Sequence, residues 1–533
     1  MFKISVAHSL TAHVQTSAPA LVERALHDLN GHSPQAALFF STYGRDHAGM
    51  LAQLSQMLPG CPIVGGSSNG EVSHQQGYQV GSAVLILFAS DTVRIHAGVL
   101  RNLSFDDADA NARQAELVFQ TLEQSVAGAP SPTNPQLGLL FPDGLGLDGE
   151  SIVNLFGNHF PDTRFFGGAC AENFQLQNTC QFFNTEVLHN AVAYLFFYGP
   201  LRFHWEITAG FGSGWQPVGA RLTAQCEGKW IKTIEQQPAT HYLETRYKLQ
   251  GGLLSVCHPF VIYPSPDSDD YYFRDVFRYS DETGALEAVQ QLPEQCQVQL
   301  TQPDAAAILD ISSKTLLQTL AHFPGSTAPA GILWFSCVSR ALVLQQDPAS
   351  EFNAATRLLP PNLPIGGFYA YGEIAPTGSK GLSAYHSSTL VALALGEAPR
   401  VSTGVLSAGE QISTDNLAQE IAHLNAALAD ARNQINRLQG QLNETHALGR
   451  LAKHSKTEQN TYHRALALEL ICSVLDTHST VFKRLAFKGD PPRLNRSGLA
   501  RLINEQHLRQ WGTPFPLTPA QLARLLGPEH ADI

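Results

Sequence analysis

Apolar runs of strand length and apolar residues at helical spacing alternate along the first 400 residues, and one order of them recurs three times. The first copy, Ala37 to Ser90, has an apolar strand at Ala37-Leu38-Phe39-Phe40 and an amphipathic helix through Leu51, Leu54, Met57 and Leu58. Pro62, a buried strand ending in Gly65-Gly66 and an apolar strand from Ala83 to Phe88 follow. The second copy passes from Leu139-Leu140-Phe141 through a helix near Ile152, Val153, Leu155 and Phe156 to Gly167-Gly168 and the strand Val192 to Phe197. The third runs from Ile332-Leu333-Trp334-Phe335 through a helix ending near Leu359 to Gly366-Gly367 and the strand Leu390 to Leu393. Self-similarity of this kind predicts an α/β fold of repeated strand-helix-strand units.

Between the copies the pattern predicts a short helix over Leu21 to Leu29, sheet over Thr92 to Val99 and a helix over Asp106 to Ala127. Alternation from Leu201 to Gln225 predicts antiparallel strands and marks a boundary, giving domains 1–200 and 201–400. From Leu417 the period changes. Leu417, Ile421, Leu424, Leu428, Ala431, Ile435, Leu438 and Leu442 are spaced alternately by four and three, the seam of a coiled coil, placed at 413–448 and read as a parallel homodimer contact. Residues 449–533 read as a small all-α module, in which Thr518-Pro519 starts the last helix.

The glycine pairs are expected at strand ends, where positive φ and the missing Cβ let backbone N–H groups approach a ligand. Pro62-Ile63-Val64-Gly65-Gly66-Ser67-Ser68-Asn69-Gly70-Glu71-Val72 resembles the core signature of the FIST N-terminal domain. Pro364-Ile365-Gly366-Gly367-Phe368-Tyr369-Ala370-Tyr371-Gly372-Glu373-Ile374, with His386 and Thr389 before the last strand, is similar to the end of the FIST C-terminal domain. The resemblance covers roughly Phe2 to Glu397 and implies two FIST-like domains, a sensory role, a small-molecule ligand and a signalling partner such as a kinase or cyclase. A subset of that family are haem proteins that sense nitric oxide, so haem is an alternative it carries.

Composition narrows the class. With 44% hydrophobic and 15% charged residues the chain can bury large cores. A net charge of −12 argues against general nucleic-acid affinity. From Arg450 to Ile533, however, twelve Lys/Arg face seven Asp/Glu, so that stretch is +5 and the first 449 residues carry −17. Arg493, Arg496, Arg501, Arg509 and Arg524 make a DNA-associated regulator a further alternative. The start lacks a signal-peptide pattern and no run is long enough to span a membrane, so a cytoplasmic protein is expected. The eight cysteines show no C-x-x-C spacing and are expected to be reduced and mostly buried.

Candidate chemistry favours binding over catalysis. Gly66-Ser67-Ser68-Asn69-Gly70 fits G-x-S-x-G, but no helical period follows it, as a nucleophile elbow requires, so no enzyme is expected. The candidate ligand-binding residues are Gly65, Gly66, Ser67, Ser68, Asn69 and Glu71 in the first copy, and Gly366, Gly367, Tyr369, Glu373 and His386 in the third. Glu71 and Glu373 occupy matching places, where each either meets a ligand ammonium or fixes its own turn. Arg274 is available for a ligand carboxylate, which makes an amino-acid-like ligand an expectation. For haem the axial candidates are His386, His258 and Cys61.

Overall fold

Runs of four to eight aliphatic and aromatic residues become strands buried on both faces, because helices cover one side of each sheet and the other sheets cover the other. The computed structural model describes residues 1–126, 134–208, 210–211, 213–247, 257–265, 270–325, 327–344, 347–377, 381–397, 487–488 and 493–494. Met1–Arg400 forms one unit and Val401–Ile533 a second. In the second unit Phe487–Lys488 pairs antiparallel with Arg493–Leu494. The expected coiled coil at 413–448 and the helical reading of 449–533 otherwise lie outside the described residues.

The repeat is longer than its apolar core suggested. Its first copy is β1 (Phe2–Ser9), α1 (Val14–Leu29), β2 (Ala36–Thr42), α2 (His47–Met57), β3 (Ile63–Ser68), the hairpin β4 (Glu71–Ser73) and β5 (Gly77–Gln79), and β6 (Ala83–Ser90). The second is β7 (Arg94–Leu100), α3 (Ala108–Val126), β8 (Leu137–Pro142), α4 (Gly149–His159), β9 (Arg164–Gly168), the hairpin β10 (Gln181–Phe183) and β11 (Glu186–Leu188), and β12 (Val192–Tyr198).

The third copy opens with β13 (Leu201–Ile207) and is interrupted by β14 (Trp215–Glu227), β15 (Trp230–Ile234), β16 (Gln237–Pro238), α5 (Ala239–Tyr247), β17 (Phe260–Tyr263), β18 (Tyr272–Arg274), β19 (Val276–Tyr279), β20 (Leu286–Ala288) and β21 (Gln295–Pro303). It resumes with α6 (Ala305–Ala321), β22 (Gly331–Cys337), α7 (Val338–Val343), α8 (Ala349–Thr356), β23 (Ile365–Ala370), the hairpin β24 (Glu373–Pro376) and β25 (Ser383–His386), and β26 (Leu390–Glu397). α1 begins at Val14 rather than Leu21. Val14, Ser17 and Ala18 extend its buried stripe, and the helix accommodates Pro19.

Each sheet borrows its edge from another copy. The orders are β1-β6-β2-β3-β10-β11, β7-β12-β8-β9-β24-β25 and β13-β26-β22-β23-β4-β5. The hairpin of copy one therefore completes the sheet of copy three, that of copy three the sheet of copy two, and that of copy two the sheet of copy one. Strands from both sides of residue 200 share these sheets. The insertion is an antiparallel eight-stranded sheet with its own core around Ile231, Phe260, Ile262 and Val298.

The inner faces meet in one core, where Phe40, Phe141 and Phe335 stand at corresponding positions of β2, β8 and β22. Phe368 stacks on Phe40 at 4.3 Å and reaches Phe335 at 5.8 Å. Gly167-Gly168 end β9 as expected, whereas Gly65-Gly66 and Gly366-Gly367 depart from the expected strand-end turns and lie inside β3 and β23. A Cβ on Gly65 would stand 2.0 Å from the Phe39 carbonyl oxygen, and on Gly367 1.8 Å from that of Trp334. The glycines thus admit close approach of the neighbouring parallel strand. Among the described residues no helix is long and apolar enough to cross a membrane, and the seven described cysteines are buried and form no disulfide with one another.

Candidate functional site

The two signatures meet each other. Asn69 N–H donates to the Tyr369 carbonyl at 3.2 Å, Tyr369 N–H to that of Gly70 at 2.9 Å, and Glu71 pairs with Phe368 across β4 and β23. Ser67 Oγ donates to the Ala171 carbonyl and accepts from Cys180 N–H, while Asn69 Nδ2 donates to the Glu172 carbonyl. Ser68 is buried and followed by a strand, so the helix that a nucleophile elbow needs is absent there.

Glu71 is fully buried and accepts hydroxyls from Thr42, Ser68 and Ser82, at the ends of β2 and β3 and before β6. One carboxyl group thus ties three strand ends of its own copy while its backbone lies in another copy's sheet. Burial pushes its pKa up to about 7 against the opposing pull of those hydroxyls. The same place in the third copy holds Glu373, which accepts Thr389 Oγ1 at 2.7 Å and Thr389 N–H at 3.2 Å. Its second oxygen has no hydrogen-bond partner. In the second copy the place belongs to Gln181, set opposite Gly66 as Glu71 is set opposite Phe368. Gln181 donates to Thr179 Oγ1 and accepts from Ala191 N–H. In each copy the side chain at this place is thus hydrogen-bonded to groups of the fold.

Tyr369 belongs to a buried polar network. Its hydroxyl donates to Glu351 Oε2 at 2.6 Å, and Arg340 Nε meets Glu351 Oε1 at 2.7 Å with both side chains fully buried. Arg340 also donates to Ser312 Oγ and the Ser213 carbonyl. Neither Arg340 nor Glu351 stands out in sequence, since α7 and α8 are short and each charge reads as surface.

Arg274 and His386 are the two candidates that share a cavity, of about 810 Å³, where β18 of the inserted sheet faces β25 and the N-terminus of α4. Arg274 is 4% exposed, lies 4.2 Å over the Tyr272 ring, and donates from Nη2 to Glu150 Oε2 at 3.3 Å. Its Nε has no hydrogen-bond partner. Behind it Asp275, buried, accepts from Ser388 Oγ at 3.0 Å, and burial raises its pKa to about 7. Asp148, which caps α4, Glu150 and Asp270 add carboxylates to the wall. Glu150 escaped the sequence reading because it arrives from the second copy, although Asp148-Gly149-Glu150-Ser151 carries a helix-start signal.

His386 donates from Nε2 to the Ala375 carbonyl, 3.0 Å away, and burial lowers its pKa to about 4, leaving the ring neutral. Haem requires an apolar slot around one axial ligand. The cavity at His386 sets Asp148, Glu150, Asp270 and Arg274 beside Tyr271, Tyr272, Phe273 and Tyr385, and the His386 Nε2 is engaged by the Ala375 carbonyl. Cys61 is packed in the core of the first copy with its thiol pKa pushed up to about 12 by burial, and it does not line this cavity. Neither does His258, whose pKa burial lowers.

Three sheets that exchange hairpins around one core, with a cleft against an inserted sheet, define a repeated α/β body. The chain matches the FIST N domain over residues 35–237 and the FIST C domain over residues 235–376. It belongs to the FIST family, which is associated with sensing and signal transduction. The comparison with curated proteins finds no match.

Proposed function

We propose that the cleft around Arg274 binds a small carboxylate-bearing ligand of amino-acid type, and that the protein reports its presence as a sensor. The observation that carries this is a nearly buried guanidinium whose Nε is unpartnered on the wall of a cavity that also holds acidic side chains. Arg274 would take the ligand carboxylate, since a guanidinium binds it with directed, charge-assisted bonds. Asp148, Glu150 and Asp270 would take an ammonium, and Tyr385 and Tyr272 would pack its body. Relay of that binding through the 413–448 heptads to a signalling partner is part of the same proposal. It requires a ligand that binds two states of the chain with different affinity.

The test is a thermal-shift screen of the full chain with amino acids, their decarboxylated amines and their deaminated acids, followed by calorimetry. Loss of either ligand charge is expected to abolish the shift, and Arg274→Gln to weaken binding at least tenfold. A ligand bound equally well by Arg274→Gln would refute the assignment. An absorption spectrum of the same protein from haem-supplemented cells separates the haem reading: a Soret band that shifts with nitric oxide would displace the amino-acid proposal.

A further inference from the structure

Strand β13 and the end of α6 place three metal-type donors together, away from the cleft. His204 and Glu206 are two residues apart on an outer strand of the third sheet, so their side chains leave the same face. His322 caps the C-terminus of α6, its N–H bonded to the Gln318 carbonyl. Glu206 Oε1 lies 3.0 Å from His204 Nε2 and 2.9 Å from His322 Nδ1, and the two rings are 5.5 Å apart. All three donor atoms fall within 4.8 Å of one another.

We propose that His204, Glu206 and His322 form a binding site for a divalent transition metal of the zinc class. Three arguments support it. The first is donor type: two imidazoles and one carboxylate suit Zn²⁺ and its neighbours, whereas Mg²⁺ and Ca²⁺ favour all-oxygen sets. The second is spacing. Bonds of about 2.0 to 2.1 Å in a tetrahedral site put donors roughly 3.3 Å apart, so the two nitrogen-oxygen distances need to open by only a few tenths of an ångström.

The third is rigidity with access. Arg202, on the same face of β13, donates to the Pro324 carbonyl and Thr327 Oγ1 and lies 5.0 Å over Phe323, pinning the segment that carries His322. The His322 side chain is 58% exposed, so an ion can enter, and three protein donors leave a position for water. The metal would clip the last turn of α6 to β13.

The experiment is zinc titration of the EDTA-treated full chain by calorimetry and thermal shift, with cobalt substitution read by its visible spectrum. With 21 histidines in the chain, loss on substitution is the informative readout, not binding by itself. One equivalent of zinc that raises Tm is expected. His322→Ala and His204→Ala should each weaken it ten- to a hundredfold and remove the tetrahedral cobalt bands. His322→Ala is the safer variant because its side chain is exposed. Unchanged zinc affinity and cobalt spectrum in both variants, or no zinc binding at micromolar concentration in the parent, would overturn the site.

Discussion

Glu71→Gln isolates the cost of burying a carboxylate at the junction of two copies. The folded-state pKa is raised to about 7 from an ordinary 4.5, with burial the largest cause. A raised pKa means the native state favours the protonated form, so the contribution is present in full below about pH 4.5 and is lost as pH rises through about 7. About 2.5 pH units correspond to roughly 3 kcal/mol, of which about 2 to 3 kcal/mol is lost between pH 5 and 8. Glutamine keeps the shape without the charge, and Gln181 already holds the equivalent place in the second copy. One of the three hydroxyls must turn to accept from the new amide, a pH-independent cost of about 1 kcal/mol.

The variant is therefore expected to be slightly less stable than the parent at pH 5 and more stable at pH 8. For a body of about 400 residues, at about 2.1 cal/mol/K per residue, a change of 2 to 3 kcal/mol is about 3 °C in Tm. The assay is thermal unfolding by intrinsic fluorescence of both proteins across pH 5 to 8. Asp275 and Glu373, whose pKa values are also raised, bend both curves alike, so the difference between them reports Glu71. A Tm difference that is constant with pH, or that falls as pH rises, would refute the reasoning.

Two further outcomes follow from the same packing. Arg340→Met or Glu351→Leu alone leaves an uncompensated buried charge and is expected to cost about 3–5 kcal/mol in denaturant unfolding, while the double variant recovers much of that loss. Gly65→Ala is expected to cost about 3 kcal/mol or more, read as reduced soluble yield and Tm, because its Cβ would meet the Phe39 carbonyl oxygen and its φ is +151°.

What the sequence made legible follows from the range of each signal. The strand and helix order of the copies is local, carried by apolar runs such as Leu38 to Phe40 and Leu139 to Phe141, and it survives in the structure. The exchange of hairpins is not local. β4, β10 and β24 have three or four residues each and present similar edges, so their composition does not tell which sheet they join. The same limit explains the site residues. Arg274 and His386 could be named as residue types able to hold a ligand, but Glu150, 124 positions from Arg274, reaches it through the tertiary fold.

Glu71 and Glu373 could be named as a matched pair, yet the hydroxyls that hold them, at Thr42, Ser82 and Thr389, are distant in sequence or ordinary in type. The exchange also gives the cleft its construction. β25, from the third copy, is carried on the second copy's sheet and opposes the inserted strand β18, with Thr389 lining the cavity and binding Glu373 behind it. The cavity wall thus combines a hairpin, a helix start and an insertion from separate parts of the chain, and changing any one of them changes the others' polar partners. Arg274 shows this directly, being held by Glu150 of α4 and by the Tyr385 carbonyl of β25 at once.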